Sequence, residues 1–468
     1  MEVLLVVRGL SNPFSIPFQS LEHMEEKNYD VLVVGTGAGG GAVLWRLCEK
    51  WRKNRKSIGV IESGDLLLPT HIYNIPGLRK KWKKYYNEVS NPIGQHLPQF
   101  LGAEQVFAVG GRTLFWGAVT PRMHASEFIN WPISEQEIDT YYQIAEDIMQ
   151  IHQASSINSL HLQAILQHLH SKGFHEASPI PSATSHGKTF SSLCFLKNAW
   201  EQHPFDFAVK ARALQLLMEN GKPVGLKVGD HNKKIHVLRA KTIVLAAGSL
   251  ETPRLLLHSK IPGNTIGHFL TNHSFIKAKG EFISKKVGNI SENIRILIPQ
   301  TDETPYQFQI YINKRLINAV GFGKVESLFD NNLTLDPLSV DEYGIPKIKI
   351  NFSYSVKDME IIRQMNEALH QVFNYLGARV VHEKGKAQIH VMEPGEDYHE
   401  SGTCRIGNDP SQSATNRYGQ IHGITGLYVA DNSILSSIGA SNPTLTTVAL
   451  AIRIADHISN SYSKERTK

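Results

Sequence analysis

The chain has 468 residues, 41% hydrophobic and 20% charged, with a formal net charge of +6 whose two signs are spread along its length. That composition belongs to a globular protein of about two or three domains, excludes collagenous or low-complexity chains, and implies no nucleic acid as partner. Cys48, Cys194 and Cys404 are too few and too scattered for a disulfide framework or a zinc ribbon. No apolar run approaches the roughly 20 residues that cross a bilayer, and LLVV at residues 4–7, which ends at Arg8, makes a poor secretory signal, so the expected localisation is cytoplasmic with no transmembrane segment.

Residues 1–27 show no periodicity and are expected to form an arm. Order begins at YDVLVVGTGAGGGAVLWRLCEK, where a valine-rich run breaks into glycines and resumes at helical spacing: strand, tight turn, helix. Gly35 lets the strand turn sharply, Gly37 lets a pyrophosphate approach bare backbone, and Gly40 lets the helix pack close to the sheet, with the phosphates on the helix amino terminus. A second strand, SIGVIESG at 57–64, ends in Glu62, where a carboxylate can accept both ribose hydroxyls of a dinucleotide. The glycine motif alone is weak evidence; strand, helix and acid together are strong. LRKKWKKYYNE, from Leu78, predicts a helix that turns Trp82, Tyr85 and Tyr86 inward and its lysines to water, with docking of an acidic partner or a membrane surface as the other reading.

Residues from about 126 to 200 read as helical, including EQEIDTYYQIAEDIMQIH and LQAILQHLHSKGF, whose neighbouring histidines follow no metal-like pattern. AKTIVLAAGSLETPRLLLHS, at 240–259, is a buried strand, a small-residue turn and a helix entered through Thr252 and Pro253. A strand returning to the nucleotide so late implies a discontinuous domain. From about 270 to 355 the period changes to two, as in YQFQIYIN with Phe308, Ile310 and Ile312, and in IKINFSYS, both read as half-buried antiparallel strands. VKDMEIIRQMNEALHQVFNYLGA predicts a helix ending near Gly377.

After one more strand comes DYHESGTCRIG, at 397–407, too broken to be a helix. Nothing inside it decides among metal ligand, nucleophile partner, proton acceptor and plain turn residue for His399. A metal needs three or four ligands, and His399 with Cys404 supplies two at most, so no metal site is expected. A Cys–His pair needs its cysteine aimed at substrate, whereas Cys404 sits in a turn next to Arg405. Imidazole, with an ordinary pKa near 6.5, suits a general base.

Four stretches in order, VGTGAGGG, VGGRTLFWGAVTPRM at 109–123, IVLAAGSLETPRLLL, and HESGTCRIG followed by GLYVADNSILSSIGASNPTLTTVALAIRIADHI, resemble the glucose-methanol-choline (GMC) oxidoreductases, in the branch of pyranose oxidase and the sugar-acid dehydrogenase flavoproteins. IGHFLTNHS and LSVDEYGIPKIKINF also look like that branch. The resemblance implies an α/β architecture: a discontinuous Rossmann-like FAD-binding domain from 28–125, 200–270 and 395–468, and a second α+β substrate domain on an antiparallel sheet from 126–199 and 271–394. It implies an FAD-dependent enzyme that oxidises a CH–OH group of a sugar, polyol or related alcohol by hydride transfer to flavin N5, with His399 as base and Asn442 holding the same substrate oxygen. Asn442 before Pro443 also suits a helix cap, assisted by Thr444. The cofactor residues so implied are Gly35, Thr36, Gly37, Gly40, Glu62, Gly111, Thr113, Gly117, Val209, Asp431, Pro443 and Thr444. Gly117 lies against the reactive edge of the ring, Val209 makes a backbone contact to the adenine, and Asp431 lies near the ribityl and phosphate portion. Where pyranose oxidase carries a flavin-linking histidine stands Phe115, which has no nucleophilic atom, so FAD is expected to be noncovalent. The electron acceptor, whether oxygen, a quinone or a redox protein, is left open. Two other readings are a non-redox, lyase-type flavoenzyme of the same fold and a non-enzymatic FAD-binding protein.

Overall fold

A computed structural model describes residues 16–54, 56–93, 100–153, 159–283, 290, 292–383 and 385–464; the apolar run at 4–7 lies outside the described residues. NYDVLVV forms β1 (Asn28–Val34), buried at every position but the first. It reads as an unbroken apolar run because structure covers both faces of its sheet. Gly35, at φ +95°, turns the chain into α1 (Ala38–Lys50), and β2 (Ile58–Ile61) pairs in parallel with β1. The segment 82–89 forms α2 (Trp82–Val89), followed by α3 (Glu135–Met149) and α4 (Leu193–Trp200).

Then β3 (Asp206–Ala208) adds in parallel to β2, and β4 (Arg212–Glu219) and β5 (Lys222–Gly229) form a hairpin that leads to β6 (Ile235–Leu245). β6 changes partner along its length: Ile235–Arg239 pair antiparallel with β5, and Arg239–Leu245 pair parallel with β1. The sheet order is β3-β2-β1-β6-β5-β4, with Leu427–Val429 joining β6 in parallel. One sheet is therefore assembled from segments separated by hundreds of residues, the discontinuity expected from the late strand at 240–245. Residues 16–27, read as part of an arm, lie on this sheet: Ile16, Leu21 and Met24 are buried, and the Glu25 carboxylate accepts from Val237 N–H at 3.0 Å.

The second sheet is antiparallel. It contains β7 (Ser274–Phe282), β8 (Asn293–Ile298), β9 (Tyr306–Asn313) and β10 (Leu316–Gly323), in the order β7-β10-β9-β8. α5 (Val356–Tyr375) opens on a Ser355–Asp358 capping box and packs Met365, Leu369, Val372 and Phe373 into a cluster with Phe308, Ile310 and Ile312. The last helix, α6 (Thr444–Lys464), is buried on most sides and packs on α1 and α3. Its apolar residues recur too densely for a surface stripe, as befits a core helix.

IKINFSYS forms the expected antiparallel strand, at Pro346–Asn351, paired with Asn332–Val340 in a hairpin separate from the main antiparallel sheet. Two expectations need correction. In β9 the residues alternating with Phe308 and Ile310 are not solvated: Gln307 and Gln309 are 0% and 2% exposed. That face looks into a cavity, not into water. In α2, Tyr86 turns inward but Trp82 is 38% exposed, because the first turn of the helix overhangs the cavity mouth.

Candidate active site

A cavity of about 470 Å³ is bordered on one side by the carboxyl ends of β1, β2 and β6, through Val34, Ile61 and Ala246, and on the other by Gln309, Tyr311 and Phe322 of the second sheet. Parallel strands place ligands at this end because the strand-to-helix turns leave bare backbone there. A side chain built on Gly37 would meet nothing within 4 Å, so the glycine opens into the cavity, as close approach of a phosphate requires. α1 starts beside it with no side-chain cap on its amino end. A Cβ on Gly40 would lie 2.0 Å from the Gly35 carbonyl oxygen, so this glycine serves helix-to-strand packing. Gly39 is equally constrained, 1.7 Å from the Ala430 carbonyl oxygen, which the spacing of the motif did not reveal. Gly111, at φ +53°, approaches Gly37 and brings the loop after Val109 onto the first turn.

Thr36 ties these parts together: its hydroxyl donates to Glu62 at 2.7 Å and accepts from Gly110 N–H at 3.0 Å. The Glu62 carboxylate also accepts from the N–H groups of Thr36 (3.0 Å) and Gly64 (2.9 Å), and its burial pushes its pKa up. It lines the cavity but is engaged by its own turn. Thr113 accepts from Ser192 N–H at 2.8 Å and donates to the Gly110 carbonyl. Asp431 is buried and accepts from Gly248 N–H, the Thr252 hydroxyl and Ser433, joining the turn after β6 to the last block of the sequence. Val209 is half-buried behind β3 and is not among the lining residues; Ala211, Arg212, Ala213 and Leu214 line that stretch instead. Thr444 lines the cavity at the start of α6, and Pro443 accepts from Thr447 N–H in its first turn. Gly117 again has nothing within 4 Å of a built Cβ, and Phe115 lines the wall beside it, its ring 5.3 Å from that of Tyr86. Bare-backbone glycines at Gly37, Gly111 and Gly117, a free helix amino end and a buried acid form a cradle that suits a dinucleotide.

His399 and Asn442, forty-three residues apart, meet across this cavity with His399 Nε2 3.5 Å from Asn442 Nδ2. The Asn442 carbonyl oxygen accepts from Gln309 (2.6 Å) and Gln307 (3.2 Å), leaving its amide nitrogen directed at the imidazole. Burial, aided by His273 and Arg112, holds the pKa of His399 well below the ordinary histidine value. That depression favours the neutral imidazole, the form able to accept a proton.

Sequence reasoning missed several residues of this site. His273 Nδ1 lies 2.9 Å from His399 Nδ1, and Asp397 is buried beside both rings. The Arg112 guanidinium forks onto Glu400, at 2.5 and 3.1 Å, and so ties the loop of 109–123 to the segment carrying His399. Tyr398 sits at φ +58° just before His399, a left-handed conformation unusual for a tyrosine and a mark of a segment held in place by its surroundings. An aspartate two residues before His399 was visible in the sequence; the partnership with His273 was not, since it spans 126 residues. On the helix Leu160–Ser171, His168 and His170 bond to the backbone carbonyls of Tyr375 and Ala177, and His161 lies 3.1 Å from the Glu292 carboxylate.

Comparison with known proteins points the same way. GMC oxidoreductase family models match residues 98–275 and 329–451. The chain is 24% identical to 2-methyl-1,2-propanediol dehydrogenase of Mycolicibacterium austroafricanum over 93% of this chain and 96% of that protein. It is 22% identical to pyranose 2-oxidase of Tricholoma matsutake over 78% and 74% of the two chains. The crystal structure of pyridoxine 4-oxidase from Mesorbium loti superposes with a TM-score of 0.71 at 15% identity, covering 92% of this chain and 99% of that one, a likeness of fold. With two family models together spanning most of the chain, and the glycine cradle joined to a histidine–asparagine pair, the protein belongs to the GMC oxidoreductase family.

Proposed function

We propose that this chain oxidises a CH–OH group of a sugar, polyol or related small alcohol to a carbonyl, with FAD held at the glycine turn and His399 as the base. The observation that carries the reading is the imidazole of His399 facing the cavity beside the amide nitrogen of Asn442. FAD, when bound, supplies the hydride acceptor, its ring nitrogen N5. The chain's own task is the proton. As the substrate carbon gives up a hydride, the hydroxyl must lose its proton, and Nε2 of His399 takes it while Asn442 Nδ2 donates to the substrate oxygen. Gly35, Thr36, Gly37, Gly40, Glu62, Gly111, Thr113, Asp431 and Thr444 form or brace the cofactor cradle, Ala211–Leu214 take the wall where Val209 was expected, and Gly117 leaves room above it. Phe115 offers no atom for a covalent link, so the cofactor is held noncovalently. In this reading 126–199 and 271–394 form the substrate domain, with Gln309, Tyr311 and Phe322 as its wall. The three free cysteines accord with a cytoplasmic setting.

The test is anaerobic mixing with a panel of sugars, polyols and simple alcohols. A substrate bleaches the flavin; a lyase or a mere FAD carrier bleaches with none. His399→Ala is expected to keep FAD and its spectrum while reduction slows by more than about 100-fold, within the usual range for a positioned base. The wild-type rate rises with pH only as the imidazole loses its proton. With that pKa depressed, the rise is complete below the ordinary histidine range and the rate is level above it. Single-turnover reduction at full speed in His399→Ala removes the histidine from the chemistry.

A further inference from the structure

His399 is backed on the side away from the cavity by a second imidazole. The two Nδ1 atoms of His399 and His273 lie 2.9 Å apart, and each is 3.7 Å from Oδ2 of Asp397. The side chains of His273 and Asp397 are fully buried. Two ring nitrogens do not approach this closely lone pair to lone pair, so one carries a hydrogen and the other accepts it. The surroundings at the two ends of the pair decide which.

At the cavity end, the Tyr311 hydroxyl donates to Gln309 Oε1 at 2.9 Å, so the Gln309 amide nitrogen points at Asn442 Oδ1. Asn442 then has only its amide nitrogen to offer His399 Nε2, which must present a lone pair. At the buried end, His273 is bordered by the backbone carbonyls of Ile438 and Gly439, and its Nε2 has no well-formed partner. Such surroundings favour an N–H and repel a lone pair. Both ends require the same state: His399 carries its hydrogen on Nδ1 and donates it to Nδ1 of His273, while His273 carries its own on Nε2.

We propose that His273, with Asp397 behind it, is a positioning pair that fixes His399 in the tautomer whose Nε2 lone pair faces the cavity. This rests on the base reading given above and assigns it a partner. Asp397 is itself fixed, accepting from His273 N–H at 2.9 Å and from Asn272 Nδ2 at 3.3 Å. When Nε2 takes the substrate proton, the ring becomes an imidazolium, its Nδ1–H bond to His273 becomes charge-assisted, and Asp397 lies beside the new charge. The division of labour is that of any base oriented from behind by a hydrogen-bond acceptor. The charged and titratable groups facing the pair are Arg112, which disfavours charge on His399, Glu400, which disfavours charge on Asp397, and Tyr354. Burial places the Asp397 carboxyl at about 7, so small changes in its neighbours alter its charge at neutral pH.

The experiment is nitrogen NMR of the holoenzyme labelled with 15N-histidine, with His399 assigned by its loss in His399→Gln. The expected result is an unprotonated Nε2 and a protonated Nδ1. In His273→Leu, which removes the acceptor while keeping the volume filled, the two tautomers mix. Flavin reduction by substrate slows about tenfold or more with FAD content unchanged, and the pH profile of reduction moves. His273→Asn, whose side-chain oxygen can accept in place of Nδ1, recovers most of the rate. A wild-type His399 protonated on Nε2 would overturn the proposal, as would a His273→Leu enzyme with the wild-type rate and an unmoved pH profile. So would a stoichiometric divalent metal in the purified enzyme, since two imidazoles and a carboxylate are also a donor set. Should His273→Leu not fold, the wild-type spectrum and His273→Asn decide. Failure of the base reading is separately visible, because His399→Ala would then reduce its flavin at full speed whatever the tautomer.

Discussion

Gly37 and Gly40 stand three residues apart and answer to different forces. Gly37 has extended backbone, φ −62° and ψ −168°, that any residue adopts, and open space before it. Gly37→Val is therefore expected to fold with stability within about 0.5 kcal/mol of wild type, yet to purify without FAD absorbance, because the side chain fills the phosphate's place. Gly40→Ala meets the Gly35 carbonyl and is expected to lose about 3 kcal/mol in urea unfolding, the cost of forcing a methyl into packed backbone. The same loss of stability in both variants would show that the turn is only a packing device. The packing role of Gly40 was legible in the motif, and the open space before Gly37 accords with what the motif led one to expect. The close approach of Gly39 to Ala430 was not, because the strand end it meets comes from the other end of the chain.

Among the elements, strands and helices with a strong period formed where the sequence implied them: β1 and α1 around the glycines, β6, and α5 with its capping box. The surprises came where one element borders the cavity. β9 carries glutamines on its second face, which alternation alone assigns to water, and α2 leaves Trp82 half out. The loops that carry the site are fastened to each other by charge. Glu400 is 2% exposed on its side chain and is held by Arg112, which is about a third exposed. Arg112→Gln leaves that carboxylate buried with its fork broken. A loss of about 2–3 kcal/mol is expected in urea unfolding, below the range for a wholly buried pair because of that exposure. Substrate-driven flavin reduction is expected to slow as well, since His399 stands directly between Tyr398, whose carbonyl accepts from Arg112 at 3.0 Å, and Glu400. Unchanged stability would mean that the fork contributes nothing to holding the segment.

For the whole molecule, the cavity is a joint product of two sheets, so a bound cofactor stabilises both. Free FAD at about a hundred times its dissociation constant is expected to raise the unfolding free energy by about 2.7 kcal/mol. Acid precipitation of the holoenzyme is expected to leave all the FAD in the supernatant; flavin that stays with the precipitate would refute noncovalent binding and the reading of Phe115.

The sequence by itself determined the strand, glycine turn and helix at the start, the late buried strand and the antiparallel region, each written in local periodicity or glycine stereochemistry. The full discontinuous α/β plan and the candidate pair His399 and Asn442 came from the family resemblance of its ordered motifs. Only the tertiary structure decided what stands behind that pair: His273 against His399, Asp397 beneath both, two glutamines orienting Asn442, and Arg112 clamping Glu400. Apart from Asp397 and His399, which are two positions apart, those contacts join residues more than a hundred positions apart. Hydrogen-bond geometry depends on ångströms, and no spacing along a chain specifies distances across a fold.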